Sequence, residues 1–85
     1  MLDPRTAQIA MLEGDRFEIL DITVRPGSKL ANVAFKDLPT TGALIGAVIR
    51  EDDALFPRSS DVLTPGDRVI LFVESARAWA AEKAL

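Results

Sequence analysis

The sequence predicts an α+β fold: a small, mostly antiparallel sheet with the element order βαβββα and the helices on one face. Three observations predict it. Strand-like apolar runs occupy residues 17–24, 43–50 and 68–73. A tight acidic turn, Glu51-Asp52-Asp53, joins the middle run to a very short strand at 54–57 as a hairpin. Two other segments, at 33–38 and after Ser75, carry apolar residues at helical spacing.

Residues 1–13 read as a leader segment with a candidate extra strand at 8–12; a helical turn and a half over 5–12 is the competing reading. Glu13-Gly14-Asp15 is turn chemistry, with Gly14 free to take positive φ. In the next strand Leu20, Ile22 and Val24 share one parity while Phe17 and Ile19 hold the other, which places a bulge or early twist near Ile19-Leu20. Arg25-Pro26-Gly27-Ser28 ends that strand. A short helix follows at 33–38, with Asn32 as N-cap, Phe35 and Leu38 on one face, Leu30 beneath and Pro39 as the stop. Thr40-Thr41-Gly42 is a loop.

The strand at 43–50 raises the central question. It runs Leu44-Ile45-Gly46-Ala47-Val48-Ile49 without a polar residue and stops at Arg50. A surface strand alternates; this one is apolar on both faces, so something must cover the second face. Thr64-Pro65-Gly66-Asp67 fits a type II turn, with Gly66 at positive φ. The last strand, 68–73, is again apolar on both faces, as a central strand is. Ser75 is placed to N-cap the final helix, where Ala76, Trp79, Ala80 and Lys83 form one stripe.

The 85 residues make one domain, and a chain of this size buries only about 60–65% of its surface. With 48% hydrophobic residues, part of the apolar supply is expected at an interface. The chain has no cysteine and no histidine, which removes disulfides, thiolate metal sites, the commonest general base and the usual pH switch. Net charge is −3 and the cations are scattered, so a nucleic-acid-binding face is not expected. No apolar run approaches the roughly 18–20 residues of a membrane span, and the N-terminal stretch does not read as a secretory signal, so no direct membrane insertion is expected.

Chemistry-bearing residues mostly have ordinary explanations. The carboxylates at 51–53 suit a solvated turn better than a hard-cation site. Asp67 follows Pro-Gly and suits turn hydrogen bonding, and Ser59-Ser60 has no base to activate it. Arg50 stands out: it ends a doubly apolar strand, where it can pair with Glu51 or Asp53 or reach an anion at a subunit interface.

Residues 14–74 resemble a TrkA-C domain, the C-terminal half of the regulator-of-potassium-conductance (RCK) module, and the domain is expected to run over 14–85. The segments that carry the resemblance are FEILDITVRPGSKLANVAFKDLP, then LIGAVIR at 44–50, then EDDALFP, then DVLTPGDRVILFV at 61–73. Asn32 departs from it, standing where many members carry glycine. The resemblance implies a non-catalytic, cytoplasmic regulatory and ligand-sensing domain of a TrkA-like potassium uptake system. It would lie peripheral to the inner face of the plasma membrane through its transporter. The partners it implies are a second copy, forming a homodimer, and a membrane potassium transporter subunit or a fused nucleotide-binding RCK N-terminal half. The alternatives are the same module as the cytosolic domain of an antiporter or other ion transporter, or a purely structural dimerisation domain. No cofactor is implied in this domain itself; cyclic di-AMP or another small anionic effector is, in a cleft between subunits. Matching positions gives Ile45, Val48, Arg50 and Pro57 as effector-binding residues, the apolar ones against bases and Arg50 against phosphate. On this reading one face of 44–49 packs on the subunit's own helices and the other lies at a two-fold interface, with Arg50 at its polar rim.

Overall fold

The computed structural model describes residues 4–37 and 43–85. Five strands form one sheet: β1 (Thr6–Leu12), β2 (Phe17–Thr23), β3 (Ala43–Arg50), β4 (Asp53–Leu55) and β5 (Arg68–Glu74). Their order across the sheet is β1-β2-β5-β3-β4, and every neighbouring pair is antiparallel. One helix, α1 (Ala78–Ala84), and two 3-10 turns, Phe35–Asp37 and Ser75–Arg77, complete the described elements. The α+β class stands, with the extra strand present at 6–12.

The core lies on one face of the sheet. Leu20, Ile22 and Val24 from β2 and just beyond it, Val48 from β3, and Val69, Leu71 and Val73 from β5 are buried there. Leu63, Ala78 and Leu85 close over them, with Leu30 and Phe35 packed at the margin. β5 earns its central place by composition: three of its β-branched or leucine side chains go inward while Ile70 and Phe72 stay apolar on the other side.

The bulge expected near Ile19-Leu20 occurs opposite those residues. Gln8 pairs with Leu20 and Ala10 with Ile19, so Ile9 on β1 is the extra residue and β2 keeps its parity. A second irregularity lies between Ile45 and Ala47, where Gly46 is the extra residue of β3. It brings Ile45 and Val48 to the same face, opposite the buried Leu71 and Val69. A Cβ on Gly46 would meet the Phe72 ring at 2.8 Å, so glycine lets that ring lie over the strand.

Local expectations change at several places. The helix expected at 33–38 is a 3-10 turn over Phe35–Asp37, while Leu38, Pro39 and the loop at 40–42 lie outside the described residues. Asn32 is no N-cap: its φ is +66°, and its N–H donates to the Leu63 carbonyl. The N–H groups of Phe35 and Lys36 likewise donate to the Asp61 and Ser59 carbonyls, so the segment is stapled to the 58–64 loop before a helical ladder can start. The strand expected at 54–57 is Asp53–Leu55, because the Arg50–Asp53 pair closes the hairpin around a two-residue turn.

Ser75 does not cap α1 either; it opens a 3-10 turn, and its buried hydroxyl has no partner among the described residues. The stripe Ala76, Trp79, Ala80 and Lys83 faces outward, with Trp79 71% exposed and the Lys83 ammonium 4.9 Å from its ring centre. Ala78, Ala81, Glu82 and Leu85 face the sheet instead. Two causes act together. A 3-10 turn advances about 120° per residue rather than 100°, which rotates the helix that follows. The helix end is then held: Arg5 Nη2 donates to the Glu82 carbonyl, Arg25 Nη2 to Lys83, Ser28 Oγ to Ala84 and the Arg25 N–H to Leu85. Those are the carbonyls a helix leaves orphaned at its C-terminus, and cations are favoured there.

Candidate functional site

Two hollows lie side by side where β3, the β4 hairpin and α1 meet, and they share Phe35, Pro57 and Arg58. The more apolar one is a groove of about 450 Å³, floored by Ile45 and Leu71 and walled by Leu30, Phe35 and the alanines of α1. Three cations stand on its rim: Lys36, Arg58 and Arg77. No acidic side chain lines it among the described residues. Arg77 also lies 3.7 Å from Glu74 outside the groove, an exposed pair of little energetic weight.

The second hollow, about 550 Å³, is bounded by Val48, Arg50, Leu55, Phe56 and Asp61. Phe56 is 80% exposed at its mouth. Of the residues singled out from the sequence, Ile45 and Pro57 therefore border the groove, and Val48, Arg50 and Pro57 border its neighbour. Val48 contributes little surface, being 2% exposed in the core.

Arg50 is engaged from within. Its Nε donates to Asp67 Oδ1 at 2.9 Å and its Nη2 to Asp67 Oδ2 at 2.7 Å, a bidentate pair. The same Nη2 donates to the Val62 carbonyl at 3.1 Å. Asp67 Oδ2 also accepts the Thr64 N–H, closing the turn whose Gly66 has φ +94°. Asp67 is almost fully buried. The hydrogen bond from Arg50, helped by the Thr64 N–H, holds its carboxyl below the ordinary carboxylate range against the desolvation that would raise it. Arg50 is raised in turn by the same bond. The partner expected from sequence was Glu51 or Asp53; both are exposed at the hairpin, whereas Asp67 lies on the face to which Arg50 points. Nη1 of Arg50 takes no partner among the described residues.

Among the described residues nothing covers the opposite face of the sheet. Leu44 pairs across to Phe72, Ala47 to Ile70, and Ile19 flanks Phe72 from β2. Leu44 is 64% exposed, and Phe72, Phe17 and Leu12 are exposed beside it. The far end of the same face is polar, where Arg68 Nη2 donates to Asp21 at 2.6 Å. So the residues of 43–50 that face away from the core are Leu44, Ala47 and Ile49, and Arg50 lies on the other side.

Sequence spacing missed the cationic rim. Lys36, Arg58 and Arg77 are far apart in the chain, and only packing of the 58–64 loop and α1 around β3 gathers them. The one local signal was Arg58 following Pro57. As chemistry, the groove offers flat apolar walls and positive charge at the mouth, which suits a small anion with apolar or aromatic parts. Among the described residues no group of three or more His, Cys, Asp or Glu side chains could hold a metal ion, and no helix is long and apolar enough to cross a membrane.

The TrkA-C domain profile matches residues 19–85. Trk system potassium uptake protein TrkA homolog 2 of Methanosarcina mazei is 32% identical over 76 residues, covering 88% of this chain and 17% of that protein. A TrkA homolog of Archaeoglobus fulgidus is 32% identical over 71 residues, covering 82% of this chain and 16% of the other. The chain thus spans about a sixth of the length of the curated relatives it matches. A solved structure described as "Structure of RCK domain with cda" superposes with a TM-score of 0.69 at 20% identity, covering 79% of this chain and 96% of that one. At that identity the likeness is one of fold.

Proposed function

This chain belongs to the TrkA-C domain family, and from that premise we propose that it is the regulatory, ligand-sensing module of a TrkA-type potassium uptake system. In this reading the module is non-catalytic, pairs as a homodimer, and acts on the cytoplasmic side through a transporter subunit or a fused nucleotide-binding half. The potassium assignment is supported by relatives that carry the name of the Trk potassium uptake system.

The observation that carries the sensing role is the apolar groove with Lys36, Arg58 and Arg77 on its rim. In an acidic chain of net charge −3, a concave site lined by cations and no acids favours an anion by simple Coulomb attraction. A cyclic dinucleotide such as cyclic di-AMP has the matching parts: flat bases for Ile45 and Pro57, and phosphates for the rim. Val48 and Arg50 serve the adjoining hollow, where Arg50 Nη1 is the atom left for a phosphate. Pairing of subunits is supported by the uncovered face around Leu44 and Phe72.

Isothermal titration calorimetry of the chain with cyclic di-AMP tests the reading. Saturable heat that weakens about tenfold or more in Arg58→Ala, one charge-assisted hydrogen bond's worth, is expected. An absence of heat with cyclic di-AMP, or affinity indifferent to Lys36→Ala, Arg58→Ala and Arg77→Ala together, removes the groove as its site.

A further inference from the structure

The α1 wall of the groove is fastened by polar contacts from two parts of the chain. α1 has seven residues, too few for a helix to be stable by itself. The side chains it turns to the sheet are Ala78, Ala81, Glu82 and Leu85, so it seats little apolar surface. Together with its ends it supplies Arg77, Ala80, Ala81, Ala84 and Leu85 to the groove. Where α1 sits therefore sets the width of the groove and the place of one cation on its rim. Arg25 and Ser28 hold the helix end from the segment that leads to Leu30, the facing wall. Arg5 and Thr6 hold it from β1, and neither of them lines the groove. Glu82, 8% exposed, is where they meet it. Arg5 Nη2 donates to the Glu82 carbonyl at 3.0 Å, and Thr6 Oγ1 donates to Glu82 Oε2 at 3.1 Å. Arg5 Nη1 donates to the Thr23 carbonyl at 2.8 Å, while the Thr23 N–H donates to the Arg5 carbonyl at 3.1 Å. One guanidinium thus spans the end of β2 and the last turn of α1, as a planar fork of donors can.

We propose that Arg5 and Thr6 are positioning residues for the effector groove: by fastening Glu82 they fix α1 as its wall, and so link the seating of β1 to the affinity of the groove. The inference rests on the groove being the sensing site. Such a link is reciprocal. A ligand that grips α1 steadies the Arg5 contact, and loss of the Arg5 contact lets the wall shift and weakens the ligand. Both residues precede residues 19–85, the segment that matches the family, so the link joins the groove to a strand outside that match.

Amide hydrogen exchange and calorimetry on the whole chain test the proposal. In the free chain, Arg5→Ala is expected to speed exchange about tenfold at two amides that report the seating of α1. These are the Leu85 N–H, which donates to the Ala81 carbonyl, and the Arg25 N–H, which donates to the Leu85 carbonyl. The amides of Val69 and Leu71 in β5 are expected to keep their rates, which shows that the sheet persists. Thr6→Val keeps the shape and removes the hydroxyl, and is expected to act in the same direction. Arg5→Lys, whose ammonium lacks the fork, is expected to restore the rates only in part. Cyclic di-AMP is expected to bind Arg5→Ala about fivefold more weakly or worse, although Arg5 lies outside the groove, and to slow exchange of the Thr23 N–H in the unaltered chain. Unchanged rates at Leu85 and Arg25 in Arg5→Ala overturn the proposal. So does a rise shared equally by Val69 and Leu71, or an affinity equal to that of the unaltered chain. With no heat from the unaltered chain it is the sensing function that falls, and the positioning role is then judged on the Leu85 and Arg25 rates.

Discussion

Arg50 and Asp67 hold each other through two parallel hydrogen bonds, 2.9 Å from Nε and 2.7 Å from Nη2, with the carboxylate almost completely removed from water. This one pair ties the end of β3 to the turn that launches β5. Through the Val62 carbonyl it also reaches the loop stapled over the core. The arginine that looked poised for a ligand is therefore first a structural residue.

Arg50→Ala leaves the buried Asp67 carboxylate without its main partner. The expected cost is about 2–3 kcal/mol, below the full value for a buried pair because the Arg50 side chain is 39% exposed. For a chain this size that lowers the melting temperature by about 10 °C or more, readable by circular dichroism. A shift within a degree or two of the unaltered protein would show that the pair contributes nothing.

The same pair sets the acid limb of stability. Asp67 titrates below its unfolded value of about 3.9, so its contribution is complete above that pH and is lost as pH falls through the folded value. Urea unfolding between pH 2 and 6 is expected to show stability falling on the acid side. Asp67→Asn, less stable at neutral pH, is expected to lose much of that slope, and a parallel slope in the variant would contradict the assignment.

The β3–β4 hairpin turns on Glu51 and Asp52, both with positive φ, +51° and +69°. Two consecutive left-handed residues make the type I′ turn that favours Asn-Gly. The double change Glu51→Asn, Asp52→Gly is expected to stabilise by about 0.5–1 kcal/mol. A loss of stability would mean that the turn is not of that type in solution.

Gly66, at φ +94°, has nothing within 4 Å of where a Cβ would sit. Gly66→Val is expected to cost about 1–2 kcal/mol through backbone strain alone. A neutral midpoint in chemical denaturation would argue that the turn simply relaxes.

The two faces of β3 answer charge differently. Val48→Asp buries a carboxylate in the core, so the chain itself is expected to lose several kcal/mol of stability. Leu44→Glu and Phe72→Glu lie on the uncovered face and are expected to keep the melting temperature while lowering dimer population in sedimentation equilibrium. A dimer untouched by both would place its interface elsewhere.

Much of the architecture was legible before any coordinates. Period-two patterning located β2, β3 and β5, because a strand with one buried face must alternate and one with two apolar faces must lie centrally. Gly66 and Gly14 were readable because only a residue without a Cβ takes those φ values cheaply. Ile45, Val48 and Pro57 came from matching positions in the TrkA-C resemblance, and the structure sets the first two on β3 and the third just past its hairpin. Helical detail was less readable. Apolar spacing at 33–38 and the stripe around Trp79 carry no information about which carbonyls will capture Asn32, Phe35 and Lys36, or which cations will hold the end of α1.

The sequence by itself therefore determined the class of fold, the strand that needs a cover, and the turns, since these follow from local sterics and the period of apolar residues. Tertiary structure alone decided that Arg50 pairs with Asp67, that Lys36, Arg58 and Arg77 share one groove, and which side of β3 is bare. Those are meetings between residues far apart in the chain. The bulge at Gly46 bears on the first and the last of these: one extra residue in β3 reverses the side on which Val48 and Arg50 land.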